Sequence, residues 1–204
     1  MVAAANPLRG IPIYSAYVAS VFDQIPGPVL AVGHSYGGAV ISNAATRSAN
    51  VVGLVFVAAF APDEGEKLIE ITGTSKDSVL GSALVPRQYP TGSGMGTEFL
   101  IDPAKARDAF ASDLSDVEAS LVGVVQRPVA DLAFGEPSGV PAWKKLPSWA
   151  VVATNDRAAG TDVVRAHAQR AGAAVTEVDG SHVIMMSQPQ AVTDVIQAAL
   201  VKLG

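Results

Sequence analysis

The strand signals of this chain read as continuous apolar runs, and no other feature limits its fold so strongly. Val29–Val32, Val51–Phe60, Trp149–Thr154 and Ala174–Val178 read as strands. Runs of this kind mark parallel strands covered by helices on both faces, because neither side of the strand meets water. Helical patterns supply the covers at Tyr14–Asp23, Ser35–Ser48, Thr161–Ala171 and Gln188–Leu203, with Thr161 as the expected N-cap and Gly172 as the stop of the third. Strand then helix, repeated, predicts a mostly parallel α/β sheet with right-handed crossovers. Val2–Ala5 reads as the tail of a further strand.

One stretch breaks the rhythm. Residues 63–146 carry no strong strand pattern. They include a glycine-rich piece, Pro90–Gly96, and helix candidates beginning at Asp102-Pro103 and at Ser115–Val125. A structureless loop of this length is improbable in a compact domain. Residues 63–146 are therefore expected to form a helical cap inserted into a core made of residues 1–62 and 147–204.

Composition excludes several classes. The 204 residues carry a net charge of −5, so a basic nucleic-acid-binding face is not expected. There is no cysteine, which removes disulfides, thiol catalysis and thiolate metal sites together and fits a cytoplasmic setting. The longest apolar run, Val51–Ala61, is too short to span a bilayer, and no membrane partner is expected. The histidines lack paired metal-ligand spacing, and the turn Gly33–Gly38 lacks the lysine of a phosphate-binding loop, so neither metal nor cofactor is expected.

The chemistry lies at Gly33-His34-Ser35-Tyr36-Gly37. Among 19 glycines a Gly-x-Ser-x-Gly match means little by itself. Here an apolar strand enters it and a helix leaves it, the context of a nucleophile presented on a sharp strand-to-helix turn. The flanking glycines are expected to avoid collision with the neighbouring strand and helix, and the serine hydroxyl meets the positive end of a helix dipole. A serine hydroxyl needs a base. Of three histidines, His34 is expected to face the core beside the strand and His167 to sit on a solvated helix face. His182 follows Ala174–Val178 at the carboxyl end of a strand, where open α/β sheets place their sites, and is the expected base. Asp156 follows Trp149–Thr154 and is the expected orienting acid, 26 residues before His182; Asp63 and Asp179 are the rivals. The order Ser35, Asp156, His182 is the nucleophile–acid–base order of one fold.

These segments, with Asn6-Pro7-Leu8-Arg9-Gly10, Phe56–Pro62, Val152–Arg157 and Gly180-Ser181-His182-Val183, resemble the α/β-hydrolase family, in particular small bacterial serine esterases. The resemblance implies that the Tyr36 backbone N–H donates to the oxyanion; the apolar residues of the cap point to a small, largely apolar ester as substrate. Leu80, Leu84, Met95, Phe99 and Leu100 of the cap, and Leu8 and Arg9 beside the first strand, are candidates to line the site. Members similar to this chain begin with further strands, one of them followed by a His-Gly segment that supplies a second oxyanion donor; this chain begins at Met1-Val2-Ala3. A sheet lacking that central strand would leave open edges, so a homodimer covering the edge is expected. The family also contains hydroxynitrile lyases. The alternatives are therefore a carbon–carbon lyase, with Lys144 or Lys145 as its extra base, and a catalytically weak hydrolase-like binding protein.

Overall fold

A computed structural model describes residues 1–204. In chain order the elements are α1 (Ile11–Asp23), β1 (Val29–His34), α2 (Tyr36–Ala44) and β2 (Val51–Val57). There follow α3 (Leu68–Thr74), α4 (Leu80–Ala83), β3 (Leu84–Thr91), β4 (Gly94–Ile101), α5 (Ala106–Phe110), α6 (Asp116–Val125), β5 (Val129–Ala130) and α7 (Asp131–Gly135). The chain closes with β6 (Ser148–Ala153), α8 (Thr161–Arg170), β7 (Ala174–Val178), α9 (Ile184–Ser187) and α10 (Pro189–Leu203).

Four parallel strands form the main sheet in the order β1-β2-β6-β7. Alternate residues of β2 and β6 serve two different cores. Leu54 and Phe56 of β2, with Ala150 and Val152 of β6, pack among α1, α2 and α8. Val55 and Val57, with Trp149, Val151 and Ala153, pack under α9 and α10. Both faces are dry, so the positions are apolar apart from Ser148, whose hydroxyl donates to the Leu146 carbonyl, and a period of two in polarity disappears. Burying each large side chain of this kind stabilises the fold by roughly 1.5–3 kcal/mol. Gly53 is the one gap in β2, where an added Cβ would stand 3.0 Å from Leu203 and 3.1 Å from the Trp149 ring. Strand β1 lies at the sheet edge, with Val32 43% exposed.

Three expectations need correction. Val2–Ala5 forms no strand; the N-terminal segment runs as coil, and its Leu8 carbonyl accepts from the Ala130 amide at 2.9 Å. The N-cap of α8 is Gly160. Thr161 is instead used internally: its hydroxyl donates to the Ala153 carbonyl at 2.8 Å and accepts from the Asp156 amide at 3.0 Å.

The third correction concerns the segment inserted between β2 and β6. Its helices are present, and α6 starts with a reciprocal capping box between Ser115 and Glu118. The segment also contains a small antiparallel sheet, β3-β4-β5, that no strand signal announced. Pro86 and Pro90 hid it, since proline reads against a strand. Strand β3 is an edge of this sheet, and an edge position tolerates proline. Arg9 ties the hairpin to the N-terminal segment: its guanidinium bonds Glu98 at 2.6 Å and lies 4.3 Å over the Tyr89 ring. No helix is long and apolar enough to cross a membrane.

Candidate active site

The carboxyl ends of β1, β6 and β7 converge on three side chains. Ser35 follows β1 directly, Asp156 lies three residues past β6, and His182 four residues past β7. The His182 Nε2 atom is 2.8 Å from Ser35 Oγ, and its Nδ1 is 2.8 Å from Asp156 Oδ2. Parallel strands end on one side of a sheet, which is why residues 147 positions apart can meet.

Ser35 stands in a strained turn. Its φ of 54° and ψ of −124° lie where a side chain is unfavourable, at a cost on the order of 1–3 kcal/mol. Hydrogen bonds over-determine the turn. The Ser35 amide donates to Val57 O at 3.2 Å, and the Ser35 carbonyl accepts from the Gly38 amide at 3.0 Å and the Phe60 amide at 3.2 Å. The glycines divide differently from expectation. A Cβ on Gly33 would sit 2.6 Å from Gly37 O, and one on Gly38 would sit 2.4 Å from Phe60 O. A Cβ on Gly37 would meet nothing within 4 Å. The steric requirement thus falls on Gly33 and Gly38, and the last glycine of the pentapeptide is free of it. The Tyr36 amide heads α2, in the turn where helical amides lack intrahelical acceptors.

Asp156 is built as a permanent acceptor. Its Oδ1 takes hydrogen bonds from the Ala158 and Ala159 amides, both at 2.9 Å, leaving Oδ2 for His182. Burial pushes the carboxyl upward, but His182 and the two amides outweigh it, and the group stays below the usual carboxylate range. An ionised carboxylate can only accept, so His182 Nδ1 carries the proton and Nε2 is left to accept from the Ser35 hydroxyl. The rivals are engaged elsewhere. Asp63 pairs with Lys144, and Asp179 accepts from Thr154 and Asn155. Lys144 is thereby held on Asp63 and over the Trp143 ring at 5.6 Å.

The other two histidines depart from expectation. His34 lies against His182, ring centroids 4.7 Å apart, and its Nε2–H donates to the His182 carbonyl at 2.9 Å. Burial and the neighbouring His182 lower its pKa to about 3, so it is a neutral donor at ordinary pH. His167 is buried at 7% exposure, not solvated; its Nδ1 accepts from the Ala61 amide at 3.1 Å. Burial and then Arg170 lower its pKa to about 4. Leu8 and Arg9 make their hydrogen bonds with Asn6, Ala130 and Glu98, and none reaches Ser35, His182 or Asp156. Two neighbours of the site gave no sequence signal. The Phe110 ring meets the His182 ring edge-on at 4.6 Å, and Asp113 bonds the histidine loop at Ser181.

The alpha/beta hydrolase family profile matches residues 5–195. The chain belongs to the alpha/beta hydrolase family. No curated protein sequence matches it. Among solved structures, polyneuridine aldehyde esterase superposes with a TM-score of 0.77 at 18% identity, covering 94% of this chain and 80% of that one. A pyrethroid hydrolase from Sphingobium faniae JZ-2 gives 0.69 at 20%, covering 93% and 77%. An extracellular alpha/beta-hydrolase from a Paenibacillus species gives 0.70 at 18%, covering 100% and 83%. At these identities the structural likeness is one of fold, and esterases and hydrolases populate it.

Proposed function

We propose that this alpha/beta hydrolase is a serine hydrolase that cleaves a small, largely apolar carboxylic ester through an acyl-enzyme. The observation that carries the reading is the unbroken chain Ser35 Oγ–His182 Nε2 and His182 Nδ1–Asp156 Oδ2, 2.8 Å at each link. His182 Nε2 takes the hydroxyl proton as Ser35 Oγ attacks the ester carbonyl carbon. The carbonyl electron pair moves to oxygen, where the Tyr36 amide at the head of α2 offers a hydrogen bond. Collapse of the adduct expels the alcohol oxygen, which takes the proton back from Nε2. Water then attacks the acyl-enzyme with its proton passing to Nε2. The acid leaves, and Ser35 regains its proton. Asp156 orients the imidazole throughout and steadies its cationic form.

An apolar substrate is favoured because the Phe110 ring packs edge-on against His182 beside the reacting serine. Met95 is 64% exposed at the hairpin tip and is a poor candidate for lining the site. Of the two lysines the lyase alternative could use, Lys144 is committed to Asp63, which leaves only Lys145 for that role.

The test is turnover of a short p-nitrophenyl ester together with covalent labelling by a fluorophosphonate. The parent protein is expected to show both. Ser35→Ala is expected to lose labelling and to lower turnover by at least about 10⁴-fold. Labelling that persists in Ser35→Ala overturns the assignment.

A further inference from the structure

His182 sits on the loop Asp179-Gly180-Ser181, and a loop is a soft platform for a base that must be placed within a few tenths of an ångström. The sheet side holds this loop at its start, where Asp179 accepts from Thr154 and Asn155, and at two backbone carbonyls. His34 donates to the His182 carbonyl at 2.9 Å, and the Asn155 amide donates to the Gly180 carbonyl at 3.0 Å. Between these anchors the Ser181 amide and hydroxyl would be free. They are taken by a residue of the inserted segment: Asp113 Oδ2 accepts from the Ser181 amide at 2.9 Å, and Oδ1 accepts from the Ser181 hydroxyl.

Several features suit Asp113 to this task. Its position is rigid, because the Leu114 amide bonds Ala111 O at 3.2 Å and the capping box of α6 begins at Ser115. Its carboxylate lies close against the loop: a Cβ on Gly180 would stand 2.3 Å from Ile184 Cδ1 and 2.7 Å from Asp113 Oδ2. Ser181 is 2% exposed, which shields both hydrogen bonds from water. Around them Ala111, Leu114 and Ala119 of the inserted segment pack on Val183, the residue after His182. Phe110 meets the imidazole from the same turn, at 4.6 Å.

We propose that Asp113 is a positioning residue for His182, so that the inserted segment helps to set the geometry of the base. This rests on the reading of Ser35, His182 and Asp156 as the reacting chain. Asp113 touches neither substrate nor reacting atom in this scheme. It acts by holding the Ser181 hydroxyl and the N–H side of the Gly180–Ser181 peptide, whose carbonyl is held by Asn155, and so by fixing the residue before His182 and through it the aim of Nε2 at Ser35 and of Nδ1 at Asp156.

The test compares Asp113→Ala, Asp113→Asn and Ser181→Ala in the full chain, by ester kinetics and by the low-field proton resonance of the His182 Nδ1–H held on Asp156. Asp113→Ala is expected to lower kcat about 10- to 100-fold while KM stays within about twofold, and to shift or broaden the resonance. Asp113→Asn keeps an acceptor for the Ser181 amide and is expected to recover to within about threefold of the parent, with the resonance restored. Ser181→Ala loses one of the two bonds and is expected to fall between them; it carries the test with Asp113→Asn should Asp113→Ala not fold. Parent-like kcat and an unmoved resonance in folded Asp113→Ala overturn the proposal, as does an Asp113→Asn protein as impaired as Asp113→Ala. The resonance does not depend on turnover. A parent that cleaves no ester would therefore sink the functional reading, while the resonance still decides whether Asp113 positions His182.

Discussion

Strand β6 buries all six of its residues, whereas β3, in the inserted segment, leaves six of its eight exposed. The two regions are stabilised by different means. The central strands β2 and β6 of the main sheet lie between two dry layers and are held by area removed from water, while the edge strand β7 is largely exposed. The inserted sheet has a wet face, and the inserted segment is fastened by individual polar contacts, Arg9–Glu98 at the hairpin and Asp113–Ser181 at the turn before α6. The difference teaches where tolerance lies. In the main sheet one added atom has nowhere to go. In the insertion a lost contact loosens a joint and leaves the fold standing.

The largest expected effect tests whether the main sheet alone orients the base. Asp156→Asn should lower kcat about 10³- to 10⁴-fold with the fold retained, because an amide can donate to Nδ1 and favour the wrong tautomer. Steady-state kinetics on a p-nitrophenyl ester, with circular dichroism as the control, measures this. A drop of less than tenfold would mean that the insertion supplies most of the orientation.

Next comes packing at the elbow. Gly38→Ala drives a Cβ to 2.4 Å from Phe60 O and should destabilise by about 1–3 kcal/mol or more. Gly37→Ala meets nothing within 4 Å and should be neutral, or stabilising by up to about 1 kcal/mol, since alanine is the better helix former. Urea unfolding of the pair decides it; equal effects would refute the steric division drawn between the two glycines.

A third test uses pH. His34 and His167 have folded pKa values of about 3 and about 4, against an unfolded value near 6.5. Below 6.5 the unfolded chain binds more protons than the folded one, so these histidines make stability fall as pH drops from 6.5 toward 5. Each contributes a slope of up to about 1.4 kcal/mol per pH unit. His167→Asn preserves an acceptor for the Ala61 amide and should remove about half of that slope in thermal unfolding between pH 6.5 and 5. An unchanged slope would mean that His167 is as solvated as its helix suggested.

The smallest effect probes the insertion. Glu98→Gln breaks the ion pair to Arg9, whose side chains are 29% and 13% exposed for Arg9 and Glu98, and should cost about 0.5–1 kcal/mol. Turnover should stay within about twofold, since neither partner reaches the three site residues. A loss comparable to that of Gly38→Ala would erase the contrast between the two regions.

Much of the parallel sheet was legible because its signals are local. Continuous apolar runs at Val29, Val51 and Trp149 follow directly from burial on two faces. The hairpin was less so: Pro86 and Pro90 argue against a strand unless its edge position is known. The two-residue link Gly92-Ser93 between β3 and β4 was the signal that could have found it.

By itself, the sequence determined that strand, turn and helix meet at Ser35, and that Asp156 and His182 follow later strands in an order consistent with one chemistry. Those are properties of neighbours along the chain and of strand direction. Only the tertiary structure decided which carboxylate reaches His182, that His34 faces the site and that His167 is buried. It also decided that the crowded glycines are Gly33 and Gly38, and that Asp113 arrives from the insertion to hold Ser181. Each of these is a contact between residues far apart in sequence, and no local pattern encodes a distance across the fold.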